Sequence, residues 1–195
     1  MMYSLKVSFA VMQRDSWDRI KEVLTVKTAL MVIDMQNDYL WEKRKGKFAY
    51  DTKALVSSVN ELIHKYKDGG SDVIYIRHII QDLPTNRLIF GFSIAGTEGA
   101  ELYKGLDIVS DLCFDKLLGD AFTNRALLEM FRKNGYEELH ICGLDKYGCV
   151  AATACGAAKR GIPVKIVESG TATVLPEKKT AKTEQRLKKA RVGQI

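Results

Sequence analysis

The sequence lacks the features of membrane-spanning, secreted and disulfide-stabilised proteins. Its apolar runs fall well short of the roughly 20 residues that a transmembrane helix needs, and the run at residues 7–12 is too short for a signal peptide. Its four cysteines show neither the C-x-x-C spacing of zinc and redox motifs nor the ladder of a disulfide framework. We therefore expect a cytoplasmic protein with reduced cysteines and no membrane association.

A strong charge is also missing. The formal net charge is only +6, and the basic excess is concentrated after Pro176. Residues 176–195 contain no interleaved aromatic residues, so we predict a basic, helical C-terminal tail and no nucleic-acid partner. Residues 27–175 have the length and apolar content of one globular domain. Residues 1–26 are predicted to form an N-terminal arm that packs on this domain or on a neighbouring subunit.

The chain alternates between apolar strands and amphipathic helices. Residues 29–33 (ALMVI) are apolar throughout, as expected of a parallel strand that is covered on both faces. A helix from Asp51 or Thr52 to about Lys67 follows, and then a strand over residues 72–78. This β-α-β order predicts a parallel sheet with right-handed crossovers. We therefore predict a single-domain, three-layer α/β/α sandwich with a mostly parallel, Rossmann-like sheet.

The segment from residue 140 to residue 167 repeats this pattern and carries a cysteine at a special position. A short strand ends at Cys142, and a helix of small residues begins near Cys149 and stops at Gly161. The free N–H groups and the positive dipole end of a helix favour a thiolate and can bind an oxyanion. Cys149 is therefore a candidate nucleophile. The alternative is a buried cysteine that packs as a small apolar side chain.

Two charged residues follow other predicted strands. Asp34 comes directly after the strand at 29–33, at the end where open α/β sheets bind ligands, although a turn or cap role fits its position equally well. Lys116 lies near the end of an edge strand within 108–116, and its alternative is a solvated surface lysine. If both lie near Cys149, the carboxylate can take the thiol proton and the ammonium group can favour the thiolate.

Three motifs, in matching order between about residue 27 and residue 172, resemble those of the isochorismatase-like cysteine hydrolases. They are LMVIDMQNDY at 30–39, GTEGAEL at 96–102, and the triplets CGL and GCV within 142–150. The superfamily includes nicotinamidases and N-carbamoylsarcosine amidases. The resemblance implies an α/β hydrolase domain, a small-molecule substrate and a homo-oligomer.

The resemblance also implies roles for individual residues. Asp34 would be the general base, Lys116 the lysine of a catalytic triad and Cys149 the nucleophile. Members of the superfamily have a non-proline cis peptide before the cysteine, which corresponds here to the Leu144–Asp145 bond. The backbone N–H groups of Asp145 and Cys149 would then form the oxyanion hole. A cis bond of this kind costs about 3–4 kcal/mol and would be retained only for function.

The sequence departs from the usual pattern of the superfamily at three places. One is residues 119–122 (GDAF), where Ser-Ala-Phe usually follows the lysine. Lys146 and Tyr147 stand in the turn before the cysteine, where threonine or serine and then aspartate or a small residue are usual. Nicotinamidases bind a metal through an Asp-x-His motif and a further histidine, whereas one imidazole, His78, and one carboxylate, Asp82, are found here. We therefore predict no metal and no cofactor, and a structural or substrate-facing role for His78.

These observations predict a metal-independent amidase with an Asp-Lys-Cys triad. Its thiolate would attack a small amide or N-carbamoyl carbonyl and form a thioester. The predicted pocket residues are Trp41, Phe48, His78 and Tyr147, together with the loop at 88–94. Two alternatives remain open: an isochorismatase-type vinyl-ether hydrolase, which needs no covalent cysteine, and a catalytically idle member that uses the fold for binding.

Overall fold

The central element of the fold is a six-stranded sheet in which all neighbouring strands are parallel. The computed structural model describes residues 26–195. Within this range the strands are β1 (Thr28–Ile33), β2 (Asp72–His78), β3 (Cys113–Lys116), β4 (Glu138–Gly143), β5 (Val164–Thr171) and β6 (Gly193–Gln194). Their spatial order is β3-β2-β1-β4-β5-β6, the order of a doubly wound sheet. The predicted α/β fold is confirmed, and the sheet is parallel throughout this part of the chain.

Helices and short helical turns connect these strands. The α-helices of the described residues are α1 (Asn37–Leu40), α2 (Thr52–Asp68), α3 (Pro84–Ile89), α4 (Arg125–Lys133), α5 (Ala151–Lys159) and α6 (Glu177–Lys189). The remaining helical segments of this part of the chain are two 3₁₀ turns (Glu98–Ala100 and Ala121–Thr123) and a π turn (Lys146–Val150). Helix α2 begins where the sequence predicts it, because the Asp51 carboxylate accepts a hydrogen bond (3.1 Å) from the Ala54 N–H and caps the first turn.

The sheet separates two apolar layers, so the molecule has three layers as predicted. Along β1 the side chains alternate: Met31 and Ile33 face the layer that contains α4, α5 and α6, whereas Leu30 and Val32 face the layer that contains α2. All four side chains are completely buried, which contributes roughly 1.5–3 kcal/mol for each. Burial on both faces explains why this strand is apolar without alternation in the sequence.

Residues 176–195 belong to the domain and do not form a separate tail. Helix α6 places Leu187 in one of the apolar layers, and β6 extends the sheet by pairing with β5. A single leucine among lysines gives a weak amphipathic signal, which is why the sequence indicated a tail. The predicted N-terminal arm lies outside the described residues except for Val26. None of the helices in residues 26–195 is long and apolar enough to cross a membrane.

Candidate active site

Three predicted catalytic residues meet at the carboxyl ends of the strands. Asp34 follows β1, Lys116 ends β3, and Cys149 lies in the π turn after β4. The Nζ atom of Lys116 lies 2.8 Å from Asp34 Oδ2 and 3.1 Å from Cys149 Sγ. One ammonium group therefore contacts both the carboxylate and the thiol. The strand order reverses between β1 and β4, and open α/β sheets bind their ligands at such a point.

The backbone holds Asp34 in an unusual conformation. Its φ angle is 54°, in the left-handed region that aspartate tolerates better than most residues do. Its N–H donates to the Ile76 carbonyl (2.9 Å), which keeps the chain attached to β2 just beyond the end of β1. The side chain is buried, and its Oδ1 atom has no hydrogen-bond partner among residues 26–195. A buried carboxylate oxygen without a donor is well suited to accept a proton.

Lys116 is buried beside these groups as a cation. It lies opposite His78 in the register of β2 and β3. Burial alone would lower its pKa, but the attraction of Asp34 and then of Cys149 outweighs burial, and the pKa is raised. The His78 Nδ1 atom lies 3.5 Å from the lysine Nζ. Burial and this neighbouring charge lower the pKa of His78, so a neutral imidazole faces the site.

Cys149 is a neutral thiol in this arrangement. It lies two residues before the first residue of α5, Ala151. Burial, together with the Asp34 carboxylate, raises its pKa to about 12 against the opposing influence of Lys116. The helix terminus and the lysine were expected to favour a thiolate, but removing the sulfur from water disfavours the charged form more strongly. The resting site therefore combines a thiol with a carboxylate–ammonium ion pair.

The turn that carries Cys149 depends on a glycine. The φ angle of Gly143 is 106°, and a Cβ atom at this position would overlap the backbone of Ile33, so no other residue fits. The Leu144–Asp145 bond, expected to be cis, is trans, as are all other peptide bonds in residues 26–195. The trans form is the default for a non-proline bond, and Gly143 supplies the bend. The oxyanion hole formed by the N–H groups of Asp145 and Cys149 stays a prediction.

The side chain of Asp145 organises this turn. Its Oδ1 atom accepts hydrogen bonds from the Tyr147 N–H (3.0 Å) and the Thr173 hydroxyl (2.9 Å). Its Oδ2 atom accepts from the Tyr50 hydroxyl (3.0 Å) and the Val174 N–H (3.1 Å). This carboxylate thus joins the turn to the segment after β5 and to a tyrosine far away in the sequence. The sequence does not reveal this role of the Asp145 side chain, because three of the four donors come from distant segments.

A cavity of about 260 Å³ opens onto the thiol. Its lining residues are Asp34, Tyr39, Phe48, Tyr50, His78, Phe92, Leu144, Asp145, Gly148 and Cys149. Phe48 packs edge to face against Tyr39 and Phe92, with ring centroids 4.8 and 5.2 Å apart. The site therefore combines a polar floor with aromatic walls, which is typical of a pocket for a small molecule.

Two of the four predicted pocket residues line this cavity and two do not. Phe48 and His78 are part of its wall. Trp41 instead lines a separate cavity of about 230 Å³. Tyr147 lies under the ammonium group of Lys146, which is 5.4 Å from its ring centroid, and its hydroxyl interacts with Glu184 of α6. Both predictions were wrong because the direction of a side chain in a loop depends on contacts that the sequence does not reveal.

The predicted loop at 88–94 contributes one side chain to the cavity, Phe92. Leu88 is 87% exposed and lies outside the wall. The neighbouring Ser93 is held by α1, since its N–H donates to Asp38 (2.6 Å) and its hydroxyl is 2.8 Å from the hydroxyl of Tyr39. These contacts place Phe92 against the other aromatic residues.

Gln36 supports the site and was missed by the sequence analysis. Its amide nitrogen donates to the carbonyl groups of His78 (3.0 Å) and Ala100 (2.7 Å), and its amide oxygen accepts from the His78 N–H (2.8 Å). The side chain is fully buried and ties the ends of β1 and β2 to the 3₁₀ turn. A Cβ atom at Gly99 in that turn would overlap the Asp38 carboxylate, so a larger residue there would displace this carboxylate from the Ser93 N–H. Both residues lie in motifs described above: Gln36 is in the motif at 30–39 and Gly99 is in the motif at 96–102. The hydrogen bond from Gln36 to Ala100 joins the two motifs.

The sequence that forms this fold matches a known protein family. Residues 28–192 match the isochorismatase domain. The chain belongs to the isochorismatase family. The match includes helix α6 and reaches residue 192, which agrees with the packing of the C-terminal segment into the isochorismatase domain.

Relatives with similar sequences support this assignment. The chain is 29% identical over 148 residues to an uncharacterised isochorismatase family protein of Bacillus subtilis (strain 168), covering 75% of this chain and 78% of that protein. It is 30% identical over 171 residues to an Arabidopsis thaliana protein described as a probable inactive nicotinamidase, covering 79% of this chain and 85% of that protein.

Solved structures share the isochorismatase fold at lower identity. A pyrazinamidase of Pyrococcus horikoshii in complex with zinc has a TM-score of 0.74 and 24% identity, covering 87% of this chain and 98% of that chain. An N-carbamoylsarcosine amidase of Thermoplasma acidophilum has a TM-score of 0.71 and 22% identity, covering 86% of this chain and 95% of that chain. At these identities the likeness shows the fold alone.

The side chains near β2 do not fit a metal ion. No three His, Cys, Asp or Glu side chains of residues 26–195 are grouped so that they could hold one. His78 turns its Nδ1 atom towards the ammonium group of Lys116, which would repel a cation at that nitrogen. The exposed Asp82 carboxylate is paired with the Arg87 guanidinium (2.8 Å). The donor set that a metal requires in an isochorismatase-family site is therefore incomplete here.

Proposed function

We propose that this protein is a cysteine hydrolase that cleaves small amides or N-carbamoyl compounds through a thioester on Cys149. The observation that carries this proposal is the Lys116 ammonium group, which lies 2.8 Å from Asp34 and 3.1 Å from Cys149 at the cavity floor. A nucleophile, a carboxylate base and a cation in contact are suited to amide cleavage. Family membership supports a hydrolase, and amidases among the structural neighbours support this reaction class.

The first step of the reaction is attack by sulfur. Asp34 takes the thiol proton of Cys149 while the bond between Sγ and the substrate carbonyl carbon forms. Because the thiol pKa is about 12, proton transfer accompanies the attack and does not precede it. The electrons of the carbonyl π bond move to oxygen, and the N–H groups of Asp145 and Cys149 hold the resulting oxyanion.

The intermediate then collapses and is hydrolysed. The C–N bond breaks, and the leaving nitrogen takes the proton that Asp34 received from the thiol. Water attacks the thioester and gives a proton to Asp34, the C–S bond breaks, and the proton passes to sulfur. One water is consumed, and an acid and an amine are released. Lys116 stays protonated throughout and balances the negative charge that moves between carboxylate, oxyanion and sulfur.

The cavity supports a small substrate. Its volume of about 260 Å³ is at the small end for ligand pockets and suits an amide group attached to a compact body. The rings of Tyr39, Phe48 and Phe92 offer faces and edges to a planar or apolar body. The neutral imidazole of His78 can form a hydrogen bond with the nitrogen that leaves the substrate, and it adds no charge to the site.

The test is a panel of primary amides and N-carbamoyl compounds, assayed with the parent protein and with Cys149→Ala. We expect turnover that the substitution abolishes, and an acyl-sized mass increase on the parent after acid quenching. Cys155→Ala, which removes another cysteine in α5, is the matched control and should retain turnover. Amide hydrolysis that persists in Cys149→Ala without any adduct would overturn the proposal and indicate direct attack of water on the amide.

Two observations favour a second candidate, a catalytically idle binding protein. The raised pKa of Cys149 disfavours a free thiolate, and one relative is described as a probable inactive nicotinamidase. In that case no compound of the panel would give turnover or an adduct. Compounds that bind the cavity would still slow the alkylation of Cys149, so binding and catalysis can be measured separately.

A further inference from the structure

Two lysines stand at the aromatic wall of the cavity. Lys45 and Lys47 lie on the loop between α1 and α2. The Nζ atom of Lys47 is 4.2 Å from the ring centroid of Phe92 and 4.9 Å from that of Phe48. Both rings line the cavity that contains Cys149. The ammonium group is therefore one aromatic ring away from the space that a substrate would occupy.

The loop that carries the two lysines is fixed in place. The Arg44 guanidinium donates to the carbonyl groups of Phe48 (2.8 Å) and Tyr50 (3.2 Å), so it holds the loop closed around itself. The Lys45 ammonium group donates to the Phe90 carbonyl (2.6 Å), which joins the loop to the segment that carries Phe92. These contacts keep both cations near the cavity.

The positive charge of this pair is not balanced by an acid. Among residues 26–195, neither Lys45 nor Lys47 forms an ion pair with a carboxylate. The two carboxylates that line the cavity are already engaged, Asp34 by Lys116 and Asp145 by four hydrogen-bond donors. Partial burial and the charge of Lys45 lower the pKa of Lys47, as expected for two like charges held close together.

We propose that Lys45 and Lys47 form an anion-recognising rim, and that the substrate is a small amide or N-carbamoyl compound that carries a carboxylate. The identification of the substrate class rests on the proposed function. An acid group at the outer end of the substrate would meet the two ammonium groups while its amide carbonyl reaches Cys149. The aromatic rings between them would contact the body of the molecule. The lysines would raise both the encounter rate and the affinity for the anionic compound over its neutral analogue.

The charge of the rim can be tested with two alkylating reagents of nearly equal size. Iodoacetate is an anion and iodoacetamide is neutral, so the ratio of their rates at Cys149 reports the local potential. At pH 8 and low ionic strength, we expect this ratio to fall about threefold to tenfold in Lys47→Gln and further in the double variant with Lys45→Gln. Lys43→Gln is the matched control, because Lys43 lies over Trp41, 5.5 Å from its ring, at a different cavity.

The ratio of the two alkylation rates tests the lysine rim independently of the proposed amidase activity. It needs no amide turnover, so a protein that hydrolyses nothing can still confirm or overturn the rim. A ratio that is unchanged in Lys47→Gln and in the double variant would overturn the rim, and so would an equal fall in Lys43→Gln. Where turnover is found, kcat/KM for an N-carbamoyl amino acid should fall in Lys47→Gln, while kcat/KM for its neutral amide analogue should not. Equal losses for both compounds would contradict the assignment of a carboxylate substrate and leave the amidase activity itself in place.

Discussion

Asp34 and Asp145 line the same cavity, but their surroundings differ. Asp34 has one oxygen paired with Lys116 and one without a partner among residues 26–195, whereas both oxygens of Asp145 accept two hydrogen bonds each. The first carboxylate keeps a free lone pair beside the thiol. The second has all its acceptor capacity in use. The difference teaches that a carboxylate in a pocket is available for chemistry only when its neighbours leave it partly unsatisfied.

The largest expected effect of this difference is on catalysis. Asp34→Asn keeps the size of the side chain but removes its ability to take the thiol proton. We expect kcat for any amide that the parent hydrolyses to fall by about 10²- to 10⁴-fold. Asp145→Asn should lower kcat much less, because the Asp145 side chain contacts no reacting atom and the substitution keeps its backbone N–H. Equal losses in steady-state assays of the two variants would mean that the distinction between the carboxylates is wrong.

The second effect is on stability, because Lys116 compensates a buried charge. Lys116→Met leaves the Asp34 carboxylate buried without a cation, and we expect the free energy of unfolding to fall by about 3–5 kcal/mol in urea titrations. Lys146→Met is the matched control, since the Glu168 partner of Lys146 is 49% exposed and such a pair contributes about 0–1 kcal/mol. The double variant Asp34→Asn/Lys116→Met should recover part of the loss. Similar losses at Lys116 and Lys146 would contradict the burial argument.

A smaller effect is expected at the saturated carboxylate. Asp145→Ala leaves the hydroxyl and N–H groups of the turn without their acceptor, and we expect the free energy of unfolding to fall by about 1–3 kcal/mol. Tyr50→Phe removes only one of these hydrogen bonds and should cost about 0.5–1.5 kcal/mol. Thermal or urea unfolding measures both. A larger loss for Tyr50→Phe than for Asp145→Ala would show that the carboxylate does not hold the turn together.

The smallest expected effect is a dependence of stability on pH. The pKa of Cys149 is about 12 in the folded protein, against an ordinary value of 9.0. The unfolded thiol therefore loses its proton first, so its contribution to stability is complete below pH 9 and is lost between pH 9 and pH 12. Relative to Cys149→Ala, the parent should lose about 1 kcal/mol between pH 9 and pH 10, because the unfolded thiol is half ionised at pH 9 and almost fully ionised at pH 10. If the difference between the two proteins stayed constant over this range, the thiol would not be shifted as described.

The sequence predicted the framework and brought the candidate catalytic residues to one edge of the sheet, because both follow from strand positions. Residues 29–33 are apolar throughout because both faces of β1 are buried, and Asp34 and Lys116 stand at the ends of parallel strands, which share one edge of the sheet. A charged residue that follows a buried strand can therefore be identified from the sequence alone. Its position at the ligand-binding edge of the sheet can be predicted in the same way.

The predictions that failed concern loops and long-range contacts. Trp41 lies outside the active-site cavity because the guanidinium of Arg44 and the carbonyl groups around it decide how that loop is folded. Tyr147 points towards α6, and the role of Asp145 depends on a hydroxyl group 95 residues away. Neither propensity nor periodicity contains this information, because the direction of a loop side chain depends on individual hydrogen bonds within the loop and on contacts with distant segments.

The most direct test of the account is the rate of Cys149 alkylation by iodoacetamide as a function of pH, in the parent, in Asp34→Asn and in Asp145→Asn. Asp34 raises the thiol pKa, so removing its charge should shift the rate profile to lower pH, whereas the profile of Asp145→Asn should superimpose on that of the parent. This result would place Asp34 and Cys149 in one site and keep the Asp145 carboxylate outside the chemistry. Three superimposable profiles, or an equal shift in both variants, would contradict the central claim that only the partly unsatisfied carboxylate acts on the thiol.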